Sequence, residues 1–442
     1  MTTLLSVRDK LKNRPLSVTF GFVRKISPTQ IEGSGLKVGI GDMVRIDGAK
    51  VPTLGMISAL EGDRFVITPL GFVDGLKAGD PIYCVEGGMS IGVSRSLLGR
   101  VIDPFGVPID GGDNIRYESW RPIMNSPIEP MRRSPINRIF RTGVKSIDTM
   151  LTTGKGQKVG IFAGSGVGKS TLMGLIVRGA DVPVKVVALI GERGREIPEF
   201  IADSLCGDLT NTVIVAATSD DSPLMRKFGA FAAMSIAEYF KDMGFDVLFM
   251  MDSITRFAMA QREIGLSLGE PPTSKGYPPS VFRVLPQLME RAGSEKEKGS
   301  ITAFFTVLVE GDDLNDPIAD QARSILDGHI VLSRRLTELG LYPPIDILSS
   351  NSRLMQPLIS VDHKECARLL RRLLALLRDN EVLVRIGAYT AGSDRELDNA
   401  LRRKEAIERF MSQEAPDKRS FEECIEELEI ILGTKEQKKG AQ

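Results

Sequence analysis

Apolar and polar positions change their rhythm twice along the chain. From about Leu16 to Val85 they form short runs of β type, Val18-Thr-Phe-Gly-Phe-Val23, Met43-Val-Arg-Ile46, Arg64-Phe-Val-Ile-Thr68 and Ile82-Tyr-Cys-Val85, punctuated by glycines at 33, 35, 39, 41, 55, 62, 71, 75 and 79. Short strands with Gly-rich turns at close spacing predict a small β-barrel or sandwich. Ahead of them, Leu4, Leu5, Val7 and Leu11 fit one face of a short amphipathic helix about as well as a frayed terminus.

The stretch holding Pro122, Pro127, Pro130 and Pro135 predicts an extended, non-helical connection. Beyond it come near-continuous apolar runs, Lys158 to Ala163, Val184 to Ile190, Thr212 to Ala216, Val247 to Met251 and Ile301 to Leu308. Such runs suit a parallel sheet covered on both faces. Ser222-Pro223 reads as an N-cap and first-turn proline opening a long helix towards Phe240. The layout is that of an α/β nucleotide fold. From about His363 the period becomes helical: Leu369, Leu370, Leu373, Leu374 and Leu377 form one stripe, and Phe421, Ile425, Leu428 and Ile431 another. Both read as the core of a helical domain, and Thr434 to Gln442 as a solvated tail.

The length of 442 residues fits two or three domains, and 42% hydrophobic with 26% charged residues describes an ordinary globular chain. The 57 Lys and Arg balance 57 Asp and Glu, so the global basic field of a general nucleic-acid binder is missing. Two histidines, His329 and His363, and four scattered cysteines, Cys84, Cys206, Cys366 and Cys424, with no CxxC pair, speak against His/Cys metal sites and a His-based triad. The cysteines read as reduced, mostly buried cytosolic thiols. No apolar run approaches the roughly 20 residues needed to span a bilayer, and Met1 to Pro15 lack the pattern of a signal peptide. The chemistry is therefore expected to rest on carboxylates, lysines, arginines and backbone.

Ala163-Gly-Ser-Gly-Val-Gly-Lys-Ser170 follows an apolar strand and precedes a helical pattern, matching a P-loop whose first glycine is replaced by Ala163. Gly164, Gly166 and Gly168, with Ser165 and Val167 between them, would wrap backbone N–H groups around phosphates. Lys169 would face the β- and γ-phosphates, Ser170 would offer a hydroxyl to Mg²⁺, and Thr171 continues the helix N-terminus behind them. Asp252, closing an apolar strand, fits a Walker B acid orienting the ion. In Gly191-Glu-Arg-Gly-Arg-Glu196, Glu192 is the candidate to position water. Spacing alone fits a surface salt bridge with Arg193 or Arg195 about as well.

Together with Asp252-Ser-Ile-Thr-Arg256, Gly99-Arg-Val-Ile-Asp-Pro-Phe-Gly106 and Tyr342-Pro-Pro-Ile-Asp-Ile-Leu-Ser-Ser-Asn-Ser-Arg353, these motifs resemble the catalytic subunits of rotary ATP synthases and their relatives over nearly the whole chain. Within that group the chain most resembles the type III protein-export ATPases, flagellar or injectisome. The resemblance rests on Arg256 to Gly265, Gly276 to Phe282, Gly311 to Pro317, Ile325 to Arg334, Ile386 to Tyr389 and Gly392 to Asp394.

The resemblance implies a β-barrel and oligomerisation domain (1–92), a RecA-like P-loop ATPase domain with a mainly parallel sheet (93–357) and a helical domain (358–442), assembled as a homohexamer with ATP and Mg²⁺ between subunits. It implies Glu192 as catalytic glutamate, Arg193 and Arg256 near the phosphates, Tyr342 against adenine, and Arg353 as an arginine finger reaching the neighbouring site. His329, in a family segment at a strand start, is expected to be structural. Ser267 to Tyr277 would be a pore-facing loop that meets a stalk.

Also implied are stator proteins, chaperone–substrate complexes and peripheral contact with an inner-membrane export gate, from a cytoplasmic position and without nucleic acid. The competing readings are a catalytic subunit of a proton-translocating ATP synthase, against which the export-type segments stand, and an RNA-translocating hexamer. A barrel without an aromatic-rich basic stripe disfavours the latter.

Overall fold

The computed structural model describes residues 19–49, 52–71, 73–85, 88–309, 316–417 and 419–434. The N-terminal helical stripe, the terminal tail after Thr434 and most of the Gly311 to Pro317 segment lie outside them. The chain divides into two compact units. One comprises residues up to Met89 with Ser222–Leu224 and Glu263–Glu270, and the other comprises the rest.

The first unit is a closed antiparallel barrel of β1 (Phe20–Ile26), β2 (Ile31–Ser34), β3 (Met43–Ile46), β4 (Thr53–Glu61), β5 (Arg64–Pro69) and β6 (Pro81–Cys84), ordered β1-β2-β5-β4-β3-β6. Val23, Ile31, Val44, Ile46, Ile57, Phe65, Ile67 and Ile82 fill its interior. Two strands escape the sequence pattern. In β4 the inward positions are Thr53, Gly55 and Ile57 while Leu54 and Met56 stay half-buried, so apolar residues fall on both faces and no alternation is visible. In β2 only Ile31 is apolar.

The second unit is built on a nine-stranded sheet among the described residues. Its path runs through β7 (Val101–Ile102), β8 (Lys158–Ala163), β9 (Val184–Glu192), β10 (Thr212–Thr218), β11 (Asp246–Asp252), β12 (Ser300–Leu308), β13 (Gly328–Val331) and β14 (Asn351–Ser352). The order is β14-β13-β8-β12-β11-β9-β10-β7, parallel except for β14, with Gly293–Ser294 antiparallel to β12 off the path. The helices that matter below are α1 (Lys145–Met150), α2 (Lys169–Gly179), α3 (Pro223–Asp242), α4 (Ile254–Ser267) and α5 (Arg334–Glu338). They are followed by α6 (Val361–Asp379), α7 (Glu381–Arg385), α8 (Arg395–Met411) and α9 (Phe421–Leu432). α3 begins at the expected proline.

The Pro-rich connection is extended apart from one 3₁₀ turn at Pro130–Arg132. It is pinned from below by Arg291, which is fully buried. Its guanidinium donates to Glu238 at 2.8 Å, to Ser235 at 2.7 Å and to the Ile123 carbonyl at 2.8 Å. A buried guanidinium demands this degree of partnering.

One continuous apolar cluster runs from the sheet (Ile161, Val187, Leu248, Phe304) through α2 (Leu172, Ile176) into the terminal helices (Leu370, Leu373, Ile407, Phe410, Leu428). In α6, Leu370 and Leu373 are buried and Leu369, Leu374 and Leu377 pack around them, as the stripe predicts. In α9 the buried line is Cys424, Leu428 and Leu432, shifted from the expected one. A capping box between Ser420 and Glu423 starts that helix. None of the four cysteines is in a disulfide, and only Cys366 and Cys424 are buried. Cys84 ends a barrel strand and Cys206 occupies a left-handed turn position (φ 54°), so both point outward, against the expectation of mostly buried thiols. Both histidines serve the framework: His363 contacts the Thr149 carbonyl at 2.6 Å and His329, in β13, the Ser349 carbonyl at 3.1 Å. No helix among the described residues is long and apolar enough to cross a membrane.

Candidate functional site

Three neighbouring strand ends and one loop converge on a single point. β8 leads into the P-loop, whose backbone turns left-handed at Gly166 and Gly168 (φ 75° and 93°) before α2 starts at Lys169. The first ladder bond of α2 runs from Leu172 N–H to the Gly168 carbonyl at 3.1 Å, which leaves the N–H groups of Lys169, Ser170 and Thr171 ahead of the ladder. A Cβ on Gly168 would lie 3.6 Å from the Tyr342 ring, so the loop and this aromatic are in close approach. From the other side α5 braces the loop, with Arg334 donating to the Ser165 carbonyl at 3.3 Å and Thr337 to that of Val167 at 3.5 Å.

β11 ends in Asp252, which is buried. Its Oδ1 lies 2.6 Å from Lys169 Nζ and accepts a 2.7 Å hydrogen bond from Thr306 Oγ1 on β12, the strand between β8 and β11. β9 ends in Glu192, whose Oε1 is 3.6 Å from the same ammonium. Here the sheet register slips between Ile190 and Glu192, and Gly191 is left-handed (φ 73°) and packed so closely on Arg256 that a Cβ would stand 2.8 Å from the Arg256 Cβ. That bulge turns the Glu192 carboxyl toward Lys169.

Burial depresses the Lys169 pKa, but the Asp252 and Glu192 carboxyls outweigh it and leave the pKa above the ordinary lysine value. Glu192 is raised from 4.5 to about 7, first by burial, then by the Asp252 charge and by its hydrogen bond with Glu196, against the opposing pull of Lys169.

The residues fit a magnesium–nucleotide polyanion. Glu192 Oε1, in ion-pair range of Lys169, and Arg256 Nε are both buried without a hydrogen-bond partner, leaving one acceptor and one donor for a polar ligand. No group of three or more His, Cys, Asp or Glu side chains able to hold a metal exists among the described residues. Ser170, in the first turn of α2, and Asp252 are the side chains that could offer oxygens to a magnesium ion carried in with phosphates and water.

The structure thus brings Gly164 to Thr171, Lys169, Glu192, Asp252, Arg256 and Tyr342 into one neighbourhood. Arg193 is exposed beside it, 3.7 Å from Glu196. Arg353 lies elsewhere. It follows β14, its N–H bonds to the Asp327 carbonyl at 3.0 Å just ahead of β13, and its guanidinium reaches the Arg323 carbonyl at 3.3 Å. Because Gly328 pairs with both Ser352 and Val159, Arg353 is level with the start of β8, while the P-loop leaves its other end. Thr306 and the α5 braces were not singled out by sequence. Thr306 is one of two threonines in an otherwise apolar run, and the braces contact carbonyls about 170 positions away.

A model of the ATP synthase alpha/beta family, nucleotide-binding domain, matches residues 143–352, and one of the type III secretion EscN ATPase C-terminal domain matches residues 359–429. A flagellum-specific ATP synthase of Helicobacter pylori strain J99 is 57% identical over 431 residues, 97% of this chain and 99% of its own. A type 3 secretion system ATPase of Xanthomonas euvesicatoria is 45% identical over 416 residues, 93% of this chain and 94% of its own. Among solved structures, the assembled ATPase EscN of the enteropathogenic E. coli type III secretion system matches with a TM-score of 0.88 at 43% identity, covering 93% of this chain and all 100% of that one. The same ATPase in complex with its central stalk EscO gives 0.87 at 42% identity, covering 93% and 100%.

Proposed function

Because the chain belongs to the family of flagellum-specific ATP synthases and type III secretion ATPases, and is an ATPase as they are, we propose a residue-level assignment of its site and assembly. Lys169 and the N–H groups of the P-loop hold the β- and γ-phosphates. Ser170 and Asp252 hold Mg²⁺, which when bound neutralises charge developing on those phosphates. Thr306 keeps the Asp252 carboxylate in line. Glu192 orients the attacking water and takes its proton. Arg256 lies against the phosphates from behind Gly191, and Arg193 stands at the rim. Tyr342 covers adenine.

The observation that carries this reading is the convergence of Glu192 and Asp252 on one ammonium, with Glu192 Oε1 buried, 3.6 Å from that charge and accepting no hydrogen bond. It is tested by phosphate release from wild type and Glu192→Gln at matched ATP occupancy. Equal rates reject the hydrolytic assignment.

Arg353 acts in trans. Its place at the far end of the sheet from its own P-loop supports delivery to a neighbouring copy. The chain works as a homohexamer, with residues 1–92 as the oligomerisation barrel, 93–357 as the ATPase domain and 358–442 as the helical domain. The related ATPase solved with a central stalk supports a stalk partner for this one, met by the loop from Ser267 to Tyr277. The assembled motor stands at the cytoplasmic face of the inner membrane, contacts stator proteins and the export gate, and couples hydrolysis to chaperone release and substrate delivery.

A further inference from the structure

The residue that ties the terminal helices to the nucleotide site belongs to none of the motifs. Gln413 follows the end of α8, whose last turn is anchored by the buried Phe410. Its backbone N–H donates to the carbonyl of Tyr342 at 2.6 Å. Its side-chain amide is fully engaged in the opposite direction. Oε1 accepts from the Lys145 N–H at 2.9 Å, and Nε2 donates to the carbonyls of Gly143 at 2.6 Å and Ala415 at 2.7 Å.

Gly143 lies beneath the far end of the P-loop helix: a Cβ there would come within 2.7 Å of the Cα of Gly179, the last residue of α2. Lys145 closes the circuit by placing its ammonium 5.1 Å from the Phe410 ring centroid. A single residue therefore bridges two things nucleotide binding must hold together: its side-chain amide grips the base of the P-loop helix, and its backbone N–H holds the loop bearing the adenine-facing aromatic. Tyr342 is itself 39% exposed although Pro343, Pro344 and Ile345 beside it are buried, and the Gln413 bond to its carbonyl is an anchor from the terminal helices. Glutamine suits this role because it carries an acceptor and two donors on one short planar group. Of the side-chain bonds, glutamate would keep only the one from Lys145 and alanine none, leaving the backbone N–H on Tyr342 attached to a segment no longer tied to Gly143 and Lys145.

We propose that Gln413 is a positioning residue for nucleotide binding that acts through Tyr342, holding the ring over Gly168 at the spacing an adenine requires. This rests on the assignment of Tyr342 to adenine made above. The test compares Gln413→Ala, Tyr342→Ala and the double variant by KM and kcat for ATP, and by competitive inhibition with inorganic tripolyphosphate, which presents phosphates without a base.

In Gln413→Ala, KM for ATP is expected to rise about fivefold to tenfold, the scale of roughly one net hydrogen bond, with kcat changing less than about twofold. Inhibition by tripolyphosphate stays as in wild type, and the substitution adds nothing further in the Tyr342→Ala background. Gln413→Glu, which loses both donations, gives the same pattern and serves should Gln413→Ala not fold. Weakened tripolyphosphate inhibition, independent addition of the two effects, or an unchanged KM in a folded variant overturns the proposal. A KM that rises in Tyr342→Ala but not in Gln413→Ala overturns it alone. A KM unchanged in Tyr342→Ala overturns the adenine assignment with it.

Discussion

Glu192 stands 3.6 Å from Lys169, yet its carboxyl is held at about 7. The ammonium sits closer to Asp252, at 2.6 Å, so a buried carboxyl faces a charge already balanced by another acid. The arrangement leaves a weakly acidic glutamate beside the P-loop, with a proton affinity suited to work near neutrality.

The rate at ATP well below KM should follow that ionisation. With the carboxylate as the active form, kcat/KM is expected to be half-maximal near pH 7 and to fall about tenfold for each unit below it. Steady-state rates from about pH 5.5 to 8.5, corrected for Mg²⁺ complexation, measure this. A flat profile, or one that declines with rising pH, contradicts it.

The same shift has a cost in stability with a definite sign. The folded-state pKa is about 7 against an ordinary 4.5, so the contribution of this group is fully present below about 4.5 and lost as pH rises through about 7. Glu192→Gln cannot ionise and should therefore stabilise the fold at about pH 8 by roughly 1–3 kcal/mol, while changing little near pH 4.5. Melting temperatures of both chains at the two pH values check it, and equal Tm differences at both would refute the linkage.

Arg353→Ala should bind ATP normally and hydrolyse it about 10³-fold or more slowly. Since the finger would come from a neighbour, mixing Arg353→Ala with the equally inactive Lys169→Ala should recover measurable hydrolysis. In mixed rings, intact P-loops of the first meet intact fingers of the second. Assembled Arg353→Ala with near-normal turnover, or mixtures that stay silent, would remove Arg353 from the site.

Thr306→Val deletes the hydroxyl that bonds Asp252 Oδ1 without changing the shape of β12. The Mg²⁺ concentration for half-maximal activity is expected to rise about 10-fold, the range found when a group supporting a metal ligand is lost. Titrating Mg²⁺ at fixed ATP measures this, and an unshifted midpoint would mean that Thr306 serves packing alone.

Much of this organisation is legible in the residues because it is local. Met43–Ile46 and Lys158–Ala163 form as the apolar runs predict, and the P-loop carries strand, turn, lysine and helix within a few residues. β4 was hidden by apolar residues on both faces, since a strand is recognised by alternation and Leu54 and Met56 abolish it. Thr306 was hidden by its strand, because an apolar run gives no reason to prefer one of its threonines. Gln413 could not have been found by pattern at all: its amide bonds reach Lys145 and Gly143, separated from it by 268 and 270 positions.

The apolar cluster that passes without interruption from Ile161 and Phe304 into Leu370, Ile407 and Leu428 gives the nucleotide fold and the terminal helices one shared core. Beside this joined core, a cavity of about 390 Å³ opens between Ile345, Asp346 and Leu348 on the nucleotide fold and Leu374, Glu381, Lys404 and Ile407 on the terminal helices. The helices and the sheet are bound to melt together as one cooperative body, and a push on the helical end is passed on as strain in the sheet instead of being absorbed by a joint.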